Sequence, residues 1–155
     1  MNQIFYADSS VLVKRHVSEI GSSWFQNLVL PVSNNSIITS KLSIIEVFSA
    51  FNRRKRENSI SQIDYNDFAN DFSAISSNEY HLLDLTSSIM VESQRLLELH
   101  PLRAGDSVQL ASAIYSRNML QNSQLPAPIF LASDNKLLDA AIAEGFTTDN
   151  PLSHP

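Results

Sequence analysis

Four apolar residues in a row, Ile4-Phe5-Tyr6-Ala7, stop abruptly at Asp8, and two serines lead from there into an amphipathic segment. A strand with one wet face alternates apolar and polar residues, whereas an unbroken apolar run needs cover on both faces. That is the condition of a central strand in a parallel sheet. The strand-then-helix order also puts the Asp8 carboxylate just past the carboxyl end of the strand, the edge at which open α/β sheets bind ligands.

The rest of the chain repeats this grammar. Helices are predicted over 10–17 and 21–30, the second with Trp24, Phe25, Leu28 and Val29 as an apolar stripe that Pro31 ends. A short strand over 36–39 follows the Asn34-Asn35 turn signal, and Ser40 caps a helix over 41–58 that is apolar early and basic late. Ser61 and Asp64 open a helix to residue 77 with Ile63, Phe68, Phe72 and Ile75 on its packed face. A strand over 80–85, a Thr86-capped helix to His100, a helix over 106–121, a strand over 129–132, a helix over 136–144 closed by Gly145, and a last strand at 146–147 complete the reading. With helices between strands and no hairpin turns, the connections are crossovers and the sheet is parallel. The expected architecture is a single domain, 1–155, of three-layer α/β/α class.

Composition removes several chemistries. Cysteine is absent, so disulfides, thiolate zinc sites and cysteine nucleophiles go together. The four histidines show no HExxH spacing, which speaks against zinc. A balance of 16 acidic to 11 basic residues, net −5, argues against a general grip on nucleic acid, so a polyanion would be held locally by a few arginines or by cations. No apolar run approaches the ~20 residues of a membrane span, and no basic leader precedes the first strand, so no membrane association and a cytoplasmic location are expected.

Three further acids stand in unusual company. Asp134 ends the apolar run Ile129-Phe130-Leu131-Ala132 much as Asp8 ends the first. Glu46 lies within Ser43-Ile44-Ile45-Glu46-Val47-Phe48, where an ionised carboxylate is costly unless paired or bound to a metal. Asp106 opens a helix of small and apolar residues. Each alone has a plain reading, as a helix cap or an outward-facing acid. Four carboxylates meeting at one sheet edge would repel one another, a problem that a divalent cation removes. Oxygen ligands without His or Cys suit Mg2+ or Mn2+, which can activate water and stabilise the leaving oxygen of a phosphodiester.

The stretches YADSSVLVK around Asp8, SKLSIIEVFSA around Glu46, LRAGDSVQLASA around Asp106 and IFLASDNKLLDAA around Asp134 together resemble PIN-domain ribonucleases of the VapC toxin type. The resemblance runs along the whole chain with the motifs in the family's order. It implies a parallel sheet of five strands, a catalytic and metal-binding set of Asp8, Glu46, Asp106 and Asp134, Mg2+-dependent cleavage of RNA, a homodimer, and inhibition by a cognate antitoxin. Ser10 is then a partner that orients a carboxylate or a bound water. Arg103, three residues before Asp106, is a candidate phosphate ligand, although a plain surface arginine fits it too. Arg53 to Arg56 could meet RNA or antitoxin, or simply complement a helix end. The sequence departs from the family where it has Gly105 in place of Thr or Ser, and Ser133 in place of Thr.

Two rival readings remain at this stage. A noncatalytic PIN-fold module binding RNA or protein would keep the same fold. A phosphoaspartyl phosphoacceptor domain also carries an acid after the first strand. It would want a second Asp where Ser10 stands, or an adjacent acidic pair before the first helix, and the chain has neither.

Overall fold

The computed structural model describes residues 2–155. Strand β1 (Ile4–Ala7) lies at the middle of a five-stranded sheet of order β3-β2-β1-β4-β5, with β2 (Ser36–Ser40), β3 (Tyr80–Leu83), β4 (Ile129–Leu131) and β5 (Thr148–Asp149). All four pairings are parallel. Successive residues of β1 serve opposite layers. Tyr6 packs with Ile38, Phe130 and the helices α5 (Ser87–Leu99), α6 (Ala104–Asn122) and α7 (Asn135–Ala143). Phe5 and Ala7 pack with Leu131 and the helices α1 (Ser9–Leu12), α2 (Ser22–Leu28), α3 (Leu42–Arg56) and α4 (Gln62–Asn78). The three-layer α/β/α expectation is met, and the unbroken apolar run is its cause: both sides of β1 are covered.

Chain order creates the functional edge. From β1 the chain steps outward through β2 and β3, then returns across one face to lay β4 on the other side of β1. The break in strand order therefore falls between β1 and β4, where open sheets leave a crevice at their carboxyl ends. Asp8 follows one of these strands and Asp134 the other. Among the described residues, no helix is long and apolar enough to cross a membrane.

Local signals explain most boundaries. Ser61 and Asp64 form a reciprocal capping box at 3.0 Å in each direction. Thr86 accepts from the Ile89 amide at 3.3 Å. The basic end of α3 occupies its last turn, where the helix dipole favours cations. Three expectations need correction. The first helix keeps α geometry only to Leu12 and tightens into a 3-10 turn over Val13–Arg15. The last strand starts at Thr148 rather than Phe146: the Phe146 amide still donates to Ala141 O at 3.0 Å to close α7, and its ring is buried against Phe130. Ile63 is 73% exposed, because the packed face of α4 runs through Phe68, Phe72 and Ile75, and a residue five positions before Phe68 points roughly 140° away.

The helical layer on the α3 side is closed by an aromatic cluster around His16. Its ring meets the edges or faces of Phe51 at 5.7 Å and Phe72 at 5.8 Å, and its Nε2 is buried without a hydrogen-bond partner among the described residues. Burial, helped by the neighbouring Arg15 charge, pushes His16 down to about 4. The unfolded chain therefore takes up this proton first, and stability falls as the pH drops from about 6.5 towards about 4. Urea unfolding of wild type and His16→Phe at pH 7 and near pH 4.5 checks this: the variant is expected to lose less stability over that interval.

Candidate active site

Asp8 caps α1 and is 5% exposed. Its Oδ2 accepts from Ser10 twice, from the hydroxyl at 2.7 Å and from the amide at 3.3 Å. The Ser10 hydroxyl in turn accepts from the Ser133 amide at 3.2 Å, and the Asp8 amide donates to Leu131 O at 3.0 Å. One side chain thus ties the acid after β1 to the backbone after β4. Burial still dominates, and Asp8 is pushed up from the usual carboxylate range despite these donors.

Glu46 is half-buried on α3 and is held by a residue the sequence reading passed over. Gln109, fully buried on α6, donates from Nε2 to Glu46 Oε1 at 2.7 Å and to Ser43 Oγ at 2.9 Å. Its own Oε1 accepts from the Tyr6 hydroxyl at 2.7 Å. The Ser43 hydroxyl lies 2.7 Å from that of Thr39, which donates to Ala7 O at 2.7 Å. With Tyr6 fixing the amide oxygen, the amide nitrogen can face only Ser43 and Glu46, so both of its hydrogens are used. Gln109 lies within LRAGDSVQLASA, three residues after Asp106; its signal in the sequence is a Gln among small and apolar neighbours, where an unpaired amide is costly.

Glu46 is also pushed up, first by burial and then by the negative charges of Asp8 and Asp106, against the downward pull of Gln109. Asp106, half-buried in the first turn of α6, is raised by burial and by Asp8 and Asp134, with Arg103 pulling the other way. These mutual effects bring the four predicted acids into one electrostatic neighbourhood. Asp134 is exposed, and its Oδ1 accepts from the Leu137 amide at 3.1 Å, so its capping role is real as well. Among the described residues, no three His, Asp or Glu side chains gather into a ready-made metal cage. Asp8 is turned onto Ser10 and Glu46 onto Gln109. The donor set nonetheless fits a hard divalent cation: it offers oxygen alone, and three of its acids are disfavoured in their charged form.

Gly105 has a steric reason. A Cβ there would stand 3.1 Å from Glu46 Oε2 and 3.8 Å from its carboxyl carbon, so a Thr or Ser would crowd this acid as Gln109 holds it. Ser133, the other departure from the family pattern, has a buried hydroxyl with no partner among the described residues. Arg103 is exposed beside Asp106, whereas Trp24 is stacked on His154 at 4.3 Å and Phe25 is core.

No family model matches the sequence, and no curated protein matches it. Solved structures do. A chain of VapBC2 from Rickettsia felis, bound to a DNA fragment from their promoter, aligns over 96% of this chain and 98% of its own, with TM-score 0.62 and 14% identity. FitAcB from Neisseria gonorrhoeae aligns over 96% and 98%, with TM-score 0.62 and 11% identity. A toxin-antitoxin complex from Klebsiella pneumoniae aligns over 95% and 97%, with TM-score 0.57 and 16% identity. The chain has the fold of these proteins, the three-layer PIN fold that the sequence motifs implied.

Replacing Gln109 by Leu is expected to cost about 1–3 kcal/mol, because the Tyr6 hydroxyl loses its acceptor in a buried place. It should also raise the Glu46 pKa further, since a donor to its carboxylate is removed. Urea unfolding measures the first effect, and a carboxyl-resolved NMR titration of Glu46 measures the second.

Proposed function

We propose that the protein is a metal-dependent endoribonuclease, the toxin of a toxin-antitoxin pair, with Asp8, Glu46, Asp106 and Asp134 holding Mg2+ or Mn2+. The observation that carries this reading is the group of three partly or fully buried carboxylates, from three separate elements at the carboxyl edge of a parallel sheet, each shifted towards protonation by burial, with Glu46 and Asp106 raised further by neighbouring acids. Such an arrangement is unfavourable by itself and becomes favourable once a cation sits among the acids. When bound, the cation would acidify water and neutralise charge on the phosphodiester oxygens.

The chain's own residues have separable tasks in this reading. The Ser10 hydroxyl fixes Asp8 by its Oδ2, and Gln109 fixes Glu46 by its Oε1. The Gly105 gap leaves room beside Glu46 Oε2, the carboxylate oxygen that Gln109 does not hold. Arg103 offers its guanidinium to a phosphate oxygen beside Asp106. The toxin assignment draws on the structural neighbours, of which the Klebsiella structure is titled a toxin-antitoxin complex. A homodimer belongs to the same reading, with exposed Met90, Val91 and Leu97 on α5 as an apolar surface it would cover.

Incubation of purified protein with a mixture of structured RNAs is expected to give cleavage with Mg2+, none with EDTA, and none with Asp106→Asn. RNA binding without cleavage in Mg2+ would instead favour the noncatalytic module. Saturating Mg2+ should also raise the melting temperature, by an amount equivalent to about 2.7 kcal/mol at a hundred times its Kd. Asp8→Asn should weaken that response while stabilising the metal-free protein. Ser10→Ala is expected to reduce metal affinity or activity by about 10–100-fold. Growth arrest on expression should disappear when the neighbouring gene's product is co-expressed.

A further inference from the structure

The chain carries 11 Lys and Arg residues, and most have protein partners. Lys14 and Arg54 share Glu19 at 2.8 Å each. Arg15 pairs with Glu79, Lys41 with Asp84, and Arg95 with Glu92 and Glu144. Lys55 lies over the Tyr65 ring, and Arg117 lies over Phe146 while donating to Glu144 O. Among the described residues, Arg53, Arg56, Arg103 and Lys136 have neither an ion pair nor an aromatic ring. Three of these four line two grooves whose walls carry the acids and which adjoin in sequence at Ser133 and Asp134.

The first groove, of about 480 Å3, runs between α1 and α3 and is lined by Ser9, Ser10, Glu46 and Ser133 together with Arg53. Arg53 lies two helical turns after Glu46 on the same side of α3, about 10 Å along its axis. The second groove, of about 410 Å3, is lined by Asp106 and Asp134 together with Arg103 and Lys136. The acid cluster is therefore divided, with Glu46 on one wall and Asp106 and Asp134 on the other. Free cations lie beyond it on both sides. A chain with net charge −5 is not broadly attractive to a polyanion, but one strand needs only a narrow track.

We propose that a single-stranded RNA crosses the acids from one groove to the other, with Arg53 holding a backbone phosphate on the α3 side and Arg103 and Lys136 holding phosphates on the α6 and α7 side. This rests on the nuclease reading above and adds the path of its substrate. The cations act on the backbone rather than on the bases, so the track positions a strand without choosing its sequence.

The test measures binding of a short fluorescein-labelled single-stranded RNA of mixed sequence to the Asp8→Asn protein in Mg2+, across a salt series. Arg53→Gln, Lys136→Gln and Arg103→Gln are each added, and wild-type cleavage is assayed in parallel. Each substitution is expected to make the negative slope of log K against log salt shallower by about 0.7, the value for one lost phosphate contact on a single strand. Arg56→Gln changes the same charge at the end of the same helix as Arg53 but lines neither groove, and it should leave the slope unchanged. Slopes unchanged in all three variants, or made equally shallower by Arg56→Gln, overturn the track, and wild-type cleavage in that case leaves the nuclease reading standing. Equal affinity for the same sequence as a duplex overturns the single-strand assignment. Failure of both wild type and Asp8→Asn to bind RNA, with no cleavage by wild type, overturns the track and the nuclease reading together.

Discussion

The geometry of the acid edge depends on one buried amide. Gln109 faces a tyrosine from β1, a serine from α3 and the Glu46 carboxylate, and all three contacts fall between 2.7 and 2.9 Å. Because its donors and acceptor are all used, the side chain has no second orientation of comparable energy. It joins β1, α3 and α6 across the carboxyl end of the sheet, where the hydrogen-bond ladder no longer links neighbouring elements. The hydroxyls of Ser43 and Thr39 continue the same chain of contacts down to the Ala7 carbonyl, so Glu46 is referred back to the central strand.

Electrostatics at this edge works against the isolated protein. Burial raises Asp8, Glu46 and Asp106, and each of these groups also feels at least one donor or cation that pulls it down. Asp8 and Glu46 are restrained by hydroxyl and amide groups rather than neutralised by lysine or arginine. That distinction matters for function: an ion pair within the protein would satisfy the charge and close the site, whereas neutral donors orient the oxygens and leave their charge uncompensated.

Much of this was legible in the sequence because the signals were local. The unbroken apolar run of β1, the capping box of Ser61 and Asp64, and the proline and glycine stops each act within a few residues. The acids could be singled out because carboxylates are rare among such neighbours. What escaped depended on contacts between distant segments: Gln109 meets residues 63 and 66 positions away in the chain, and nothing beside it in the sequence announces that meeting. The same holds for Phe146, whose early burial against Phe130 delays the last strand, and for Gly105, whose missing side chain is explained only by Glu46 lying opposite.

The strand order carries a temporal consequence. During synthesis β1 emerges first, and β2 and β3 can pair beside it long before β4 exists. The Ser133 amide that braces Ser10, and the acid Asp134, arrive only with β4 and the turn after it. A growing chain on the ribosome therefore carries Asp8, then Glu46, then Asp106 before the edge is complete. Whatever the acids do, they can do it together only once β4 and the turn after it have been made.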